Sequence, residues 1–507
     1  MTATTIFGPP GTGKTTRLIN IVQEELDRGT APDKIAFVSF SKKAAQEARD
    51  RAAEKLGINE QQMIWFRTLH SFAFQNLGLS GQKVMKGADY NKIGELLGLP
   101  MLSSASVRMD DGILFSAGQS KGDQYHGILQ LARVTGKSME EMFNEKNTDY
   151  RLHFQQLKVM DQVIRDYKKM TDKVDFVDMI EQFVMQGNCP LLDVLIVDEA
   201  QDLVPLQWRM VHEVMKPCAK RIYFAGDDDQ CIYSWMGVNV NDFLTASDDK
   251  VVLDKSYRLP SQVHGLADSV AKRLAVRQQK VWSPVEEGGA VVWHHDILDV
   301  DLRTGEWLIL ARTNNIANKV ANTLKEQGYL FWREGPGWSI SPNVLNGIEV
   351  WLRLCKNQFV SPADLKSFSK LIQSTVITKS GRRKLTNLDP EATYNLTDLQ
   401  NLCELTATAQ TPWYEVIRVS EQERIYITSV RRMGESILSG KPRIRISTIH
   451  KAKGGEADNV LLLLESSPVI TRDNDLEGET RVFYVGMTRA RKELHLVESH
   501  SNHRFEL

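Results

Sequence analysis

Cysteine is scarce and scattered: Cys189, Cys218, Cys231, Cys355 and Cys403 include no Cys-x-x-Cys pair. That spacing argues against a zinc or iron–sulfur site and fits a reducing compartment. Long apolar runs are missing too, and nothing approaches the roughly 18 residues that a membrane span needs. The opening Thr4-Thr5-Ile6-Phe7 reads as a strand rather than a signal peptide. A cytoplasmic protein with no membrane partner is therefore expected. Neither charge sign dominates, since 63 Lys and Arg meet 64 Asp and Glu for a net charge of −1. Any site for a polyanion must then be a local groove rather than a global field. Short repeats are absent. What remains is ordinary globular composition, 42% hydrophobic and 25% charged over 507 residues, a length that suits about three or four domains.

Against that plain background, Gly8-Pro9-Pro10-Gly11-Thr12-Gly13-Lys14-Thr15 stands out directly after the first strand. It fits G-x-x-x-x-G-K-[ST], and Leu18-Ile19 and Ile21-Val22 then repeat at helical spacing. Glycines let successive backbone N–H groups turn toward phosphate oxygens, and a helix N-terminus adds positive potential. Lys14 would reach the β- and γ-phosphates, and the Thr15 hydroxyl would ligate Mg²⁺. A nucleoside triphosphate is the implied ligand.

The rest of the chain reads as alternating strands and helices. Ile35–Phe40 is a buried strand, a helix is expected from Lys42 to Leu56, and Ile64-Trp65-Phe66 precedes Arg67–Phe72, which reads as a strand end turning into another helix. From 86 to 187 the character changes to helical stretches such as Phe154–Tyr167. Val194–Val197 and Ile222–Ala225 then resume the sheet. A second set of strands is expected at Val291–Trp293, Trp307–Leu310, Ile444–Ile446, Val460–Leu464 and Glu493–Val497. A second helical, Ser/Thr-rich stretch interrupts it from 338 to 439.

Acidic residues follow two of these strands. Asp198 can hold Mg²⁺, and Glu199 beside it can orient and deprotonate an attacking water. Gly226-Asp227-Asp228-Asp229-Gln230 ends the next strand, where Gln230 can bond the γ-phosphate or the lytic water. Tyr233 and Trp235 follow on one face, placed either to stack on bases or to pack in a core. Arg258 and Arg489 offer two arginines from the second core for the charge that spreads on a transferring phosphate.

This ordered set resembles the UvrD/Rep/PcrA branch of superfamily 1 DNA helicases, and the likeness spans almost the whole chain. It is carried by Gly8–Thr15, Val38–Ala45, Thr68-Leu69-His70-Ser71, Asp175–Met179, Val197–Asp202, Gly226–Trp235, Tyr257-Arg258, Ala311–Asn314, Ser447–Glu456 and Tyr484–Ala490. The resemblance implies an α/β fold of two RecA-like parallel-sheet domains, each with a mostly helical insertion. Domain 1A would take 1–85 and 188–253, and 1B would take 86–187. Domain 2A would take 254–337 and 440–507, and 2B would take 338–439. ATP would sit between the RecA-like domains. Lys14, Thr15, Asp198, Glu199, Gln230, Arg258 and Arg489 would form the hydrolytic site, with Tyr257 stacking on the base and Gly454 and Glu456 near the ribose. Phe40, Thr68, His70, Tyr233, Trp235 and His450 would contact single-stranded DNA or couple it to ATP. The Tyr-x-Trp sequence implies 3′→5′ movement. Cofactors would be ATP and Mg²⁺. Partners would be single-stranded DNA, its junctions with duplex and replication or recombination proteins. A monomer is expected, acting at the nucleoid or in an infected host cell.

Several departures set this chain apart. Relatives carry a glutamine-bearing segment upstream of the phosphate loop, whereas here Met1–Thr5 alone precede the sheet. Thr16 stands where relatives place an arginine, with Arg17 one position later. Together these weaken the case for strict adenine selection. The stretch between Leu464 and Glu479 lacks a Gly-Phe-Pro segment, both insertions are short, and no nuclease domain is expected. The basic run Lys379–Lys384 reads either as a duplex-backbone contact or as a solvated loop. Three functions compete: a motor that separates duplex DNA, a translocase that strips proteins from single strands, and a nucleotide-switched binding subunit.

Overall fold

Short buried runs that alternate with amphipathic helices can bury both faces only as parallel sheets flanked by helices. The computed structural model describes residues 2–507 except 58, 102–119, 148–150, 286–287, 435–441, 469, 471–474 and 500. It divides into two units. One comprises Met1–Gly288 with Asp475–Thr488, and the other Gly289–Asn474 with Arg489–Leu507.

The first unit is built on β1 (Thr2–Phe7), β2 (Ile35–Ser39), β3 (Phe66–Thr68), β4 (Leu192–Asp198), β5 (Ala219–Gly226) and β6 (Asp249–Val252). Their order is β3-β2-β4-β5-β1-β6, and every neighbouring pair is parallel. Register brings the strand ends level: Ser39 lies opposite Asp198, Val197 opposite Phe224 and Phe7 opposite Gly226. The loops after β1, β2, β4 and β5 therefore emerge along one edge, where ligands of open α/β sheets bind.

Helix α1 (Lys14–Asp27) buries Leu18, Ile19, Ile21 and Val22. Helix α2 (Lys42–Leu56) lies close through Ala45, Ala48 and Ala52, capped by Ser41 and stopped at Gly57 in the left-handed region. After β3 come α3 (Leu69–Asn76), α4 (Gly87–Leu97), α5 (Lys121–Thr135), α6 (Met139–Lys146), α7 (Phe154–Thr171) and α8 (Phe176–Gln186). Arg133 on α5 pairs with Asp175, Asp178 and Glu181 at the start of α8, and Lys168 on α7 joins Asp175. Burial opposes ionisation of Asp175, but Lys168 and Arg133 win and hold its carboxyl well below the usual range.

The second unit holds β7 (Ala290–His294), β8 (Trp307–Ala311), β9 (Trp332–Arg333), β10 (Gly337–Trp338), β11 (Ile444–Thr448), β12 (Ala457–Leu463) and β13 (Ala490–Val497). The order is β10-β9-β11-β8-β12-β13-β7, with β9 and β10 the antiparallel pair. Helices Pro342–Cys355, Pro362–Ser369, Lys379–Thr386, Leu396–Cys403 and Glu421–Arg432 share a separate core around Trp351, Phe368, Leu399 and Ile427.

Three stretches fall elsewhere than the sequence reading put them. Residues 254–288 and 475–488, assigned there to domain 2A, belong with the first unit. The reason is bonding: Ser256 Oγ donates to Pro10 O at 2.9 Å, and Tyr257 N to Gly11 O at 2.7 Å. Trp338, taken as the start of the second insertion, closes the β9–β10 hairpin instead. Strand β6 escaped the sequence reading because it is short, begins with the exposed Asp249 and Lys250, and has only Val251 and Val252 as apolar residues.

Two buried histidines make the first unit acid-sensitive. Burial lowers His70 on α3 and His126 on α5 from 6.5 to about 4, with nearby Asp175 opposing. Below pH 6.5 the unfolded chain takes up protons that the folded unit refuses, so stability falls as pH drops toward 4. The expected loss is roughly 2–3 kcal/mol per histidine by pH 4.5. Urea titrations between pH 7 and 4.5 test this, because His126→Leu should flatten the decline. Parallel curves for wild type and variant would show that His126 does not contribute.

Candidate nucleotide-hydrolysis site

The loop after β1 is shaped by its glycines. Gly11 and Gly13 adopt φ of 73° and 75°, and Gly8 N bonds Gly226 O at 2.8 Å. A Cβ on Gly11 would fall 2.4 Å from the Cβ of Arg258. Thr12 is buried, its hydroxyl donating to Pro9 O, and α1 begins at Lys14 with Gly13 as its N-cap. A loop of turned-in N–H groups leading into a helix N-terminus is the chemistry that holds phosphates.

Lys14 reaches from this loop to the end of β4. Its Nζ lies 2.6 Å from Glu199 Oε1 and 3.5 Å from Asp198 Oδ1. Burial would lower the ammonium, but Glu199 and Asp198 more than offset that and raise it. Burial pushes the Asp198 carboxyl up to about 6, with Lys14 opposing and Glu199 adding to the rise. Glu199 stands at φ 53°, an unusual backbone for its type, and its N–H bonds Asp198 Oδ1 at 2.9 Å. Asp198 and the Thr15 hydroxyl on the first turn of α1 fit Mg²⁺, since a buried carboxyl with a raised pKa is a site that a dication would satisfy. Bound there, the ion would neutralise phosphate charge.

The loop after β5 holds three more carboxylates, and they are not free ligands. Lys280 Nζ, with its side chain fully buried, sits 2.7, 2.6 and 2.8 Å from Asp227, Asp228 and Asp229. Arg277 bonds Asp229 at 2.9 and 2.6 Å, and Arg481 reaches Asp228 O. Gln230 Nε2 donates to Asp227 Oδ2 at 2.8 Å. Lys280 and Arg277 lie outside every motif found in the sequence. Two basic residues within four positions were their only trace.

Past Gln230 the chain presents aromatic rings. Phe40, just after β2, stacks on Tyr233 with centroids 5.7 Å apart, and Trp235 lies 6.5 Å beyond. Trp235 is 43% exposed, so the core-packing alternative does not describe it. Nearby, a cleft of about 320 Å³ is lined by Lys42, Arg49, Arg67, Thr68, His70 and Phe176 among others. Thr68 caps α3 through Ser71 N. His70 is 4% exposed, and neither ring nitrogen has a hydrogen-bond partner among the described residues.

The remaining candidates divide between the units. Tyr257 lies beside Gly13 in the first unit, 69% exposed, with Lys255 over its ring. Arg258 also belongs to the first unit rather than to a second core, its Nη1 3.5 Å from Thr488 O. In the second unit, Arg489 is buried and lies 3.4 Å from Gly455 O. Gly454 (φ 77°) and His450 occupy the turn after β11, and the Glu456 carboxylate pairs with Arg491 at 3.5 Å. In the basic run, Arg382 holds the carbonyls of Ser369 and Ile372, and Lys384 pairs with Glu404. That run forms a helix rather than a loop. The expected lack of a Gly-Phe-Pro segment between Leu464 and Glu479 falls partly outside the described residues.

Comparison with known proteins agrees with this arrangement. Residues 2–250 match the UvrD/REP helicase N-terminal domain, and residues 366–501 match the UvrD-like helicase C-terminal domain. The ATP-dependent DNA helicase PcrA of Bacillus subtilis is 22% identical over 96% of this chain and 80% of its own length. PcrA of Leuconostoc citreum is 24% identical over 57% of this chain and 40% of its own. The ATP-dependent DNA helicase Rep of Buchnera aphidicola is 22% identical over 56% and 43%. The chain thus spans about two-fifths of the latter two.

The base pocket generates one expectation. Arg17 pairs with Glu24 at 2.6 Å along its own helix, and Thr16 is exposed. If Tyr257 alone meets the base, its ring face would accept any purine. GTP should then support hydrolysis with kcat/KM within about tenfold of ATP, the scale of about 1.4 kcal/mol. Rates for the four ribonucleotides decide it, and a hundredfold preference for ATP would establish an adenine reader.

Proposed function

This chain belongs to the UvrD/Rep family of ATP-dependent DNA helicases, and from that premise we propose a motor that moves 3′→5′ along single-stranded DNA and separates duplex ahead of it. Its substrates are ATP with Mg²⁺, single strands and their junctions with duplex, and it works as a monomer. Lys14 holds the β- and γ-phosphates, and Glu199, released from Lys14 when the phosphates take that ammonium, accepts a proton from the attacking water. Gln230 senses the γ-phosphate. Arg258 and Arg489 are the arginines assigned to its developing charge. Thr68, His70 and His450 serve the DNA strand.

One observation carries this reading. The Phe40–Tyr233–Trp235 rings and the Lys14–Glu199 pair stand on loops from the same sheet edge. A base that stacks on Tyr233 or Trp235 pulls on the segment that carries Gln230, so strand binding and hydrolysis share a mechanical part. The Tyr-x-Trp sequence supports 3′→5′ polarity by family likeness.

Hydrolysis should rise at least tenfold with single-stranded DNA and little with single-stranded RNA. Streptavidin should leave a 5′-biotinylated strand faster than a 3′-biotinylated one. Trp235→Ala should keep the DNA-free rate and lose roughly ten- to a hundredfold in strand affinity, the worth of one stacked base. Faster release from the 3′ end would overturn the polarity, and a rate indifferent to DNA would overturn the motor. A forked duplex that stays closed during active translocation would favour the protein-stripping role.

A further inference from the structure

We propose that Gln201 is a positioning residue that locks Glu199 and Gln230 into one unit, so that the water-activating carboxylate and the γ-phosphate sensor move together. The inference rests on the roles assigned to those two residues above. Gln201 itself touches neither phosphate nor water in this scheme.

The geometry is a chain of bonds between the loops after β4 and β5. Gln201 Nε2 donates to Glu199 Oε2 at 2.7 Å and to Asp202 Oδ2 at 3.1 Å. Its Oε1 accepts from Asp227 N at 3.2 Å. Asp227 Oδ2 accepts from Gln230 Nε2 at 2.8 Å, and its Oδ1 from Lys280 at 2.7 Å. The amide orientation is fixed by chemistry, since only the nitrogen can face two carboxylates and only the oxygen can face a peptide N–H. Gln201 is 1% exposed, so each of these bonds forms where an unmade one would be costly.

Two further features show that the space is built for this side chain. A Cβ on Gly226 would lie 2.1 Å from Gln201 Oε1, and Gly226 has no positive φ that would otherwise demand glycine. Lys280, buried against Asp227, Asp228 and Asp229, anchors the far end of the chain. A long amide with three free torsions would wander if it were unbonded. Bonded at both ends, it transmits a shift of Gln230 to Glu199 across the two strands.

Three variants test this. Gln201→Ala should lower DNA-stimulated kcat by about 10- to 100-fold, while KM for ATP and strand affinity stay within about threefold. Gly226→Ala should do the same alone, yet add little in the Gln201→Ala background, where the Phe243 ring, 3.0 Å from that Cβ, is still there to give way. Gln201→Glu keeps the shape and the bond to Asp227 N, but sets a second carboxylate beside Glu199. That repels the Glu199 carboxylate from its place, so kcat should fall about 10- to 100-fold while KM for ATP stays within about threefold. A purely structural glutamine would lower thermal stability and leave kcat within threefold.

Gln230→Ala serves as the control for the underlying reading. If it turns over at the wild-type rate, the sensor role fails, whatever Gln201 does. If it is inactive while Gln201→Ala keeps kcat within threefold, the positioning role is overturned. Should Gln201→Ala fail to fold, the isosteric Gln201→Glu decides, and a kcat within threefold of wild type refutes the proposal.

Discussion

Five carboxylates crowd one edge of the first sheet, and two lysines make that possible. Lys14 balances Asp198 and Glu199 after β4, and Lys280 balances Asp227, Asp228 and Asp229 after β5. Without partners, carboxylates this buried would be protonated or would open the loops to water. The two lysines differ in kind. Lys14 sits on a phosphate loop and can trade its carboxylates for phosphate oxygens, whereas Lys280 is enclosed on all sides. One pair is exchangeable and the other is fixed, which is what a site needs if one loop is to react and its neighbour is to hold still.

The level strand ends turn this charge arrangement into a functional edge. Parallel register places the phosphate loop, the Asp198-Glu199 turn and the Asp227–Gln230 turn side by side. The same edge carries Phe40 and Tyr233 in stacking contact. The proposed nucleotide chemistry and the proposed aromatic strand contacts are thus separated by a few residues of backbone rather than by a domain. Tyr233 and Trp235 follow Gln230 so closely that a base settling on them need not act at a distance.

Much of this was legible because motifs at strand ends carry their own context. The phosphate loop followed an apolar run and preceded a helical repeat, and α2 (Lys42–Leu56) lies where its alanine pattern placed it. What stayed hidden depends on long-range pairing. Lys280 and Arg277 look like ordinary surface residues in sequence, and only the fold brings them to the three aspartates. Segment 254–288 follows the last strand of the first sheet, so sequence order suggested a new domain. Backbone bonds from Ser256 and Tyr257 to the phosphate loop hold it where it is. Strand β6 lacks the apolar alternation that would reveal it.

The central claim is that Glu199, poised between Lys14 and Gln201, is the group that accepts the water's proton. Glu199→Gln keeps the shape and removes the basic oxygen, so ATP affinity and strand affinity should stay within about threefold. Single-turnover hydrolysis on saturating single-stranded DNA should fall by about 10²–10⁴-fold, the range of general-base catalysis. A variant that hydrolyses within threefold of wild type would contradict the account, because the carboxylate at the end of β4 would then have no part in the chemistry.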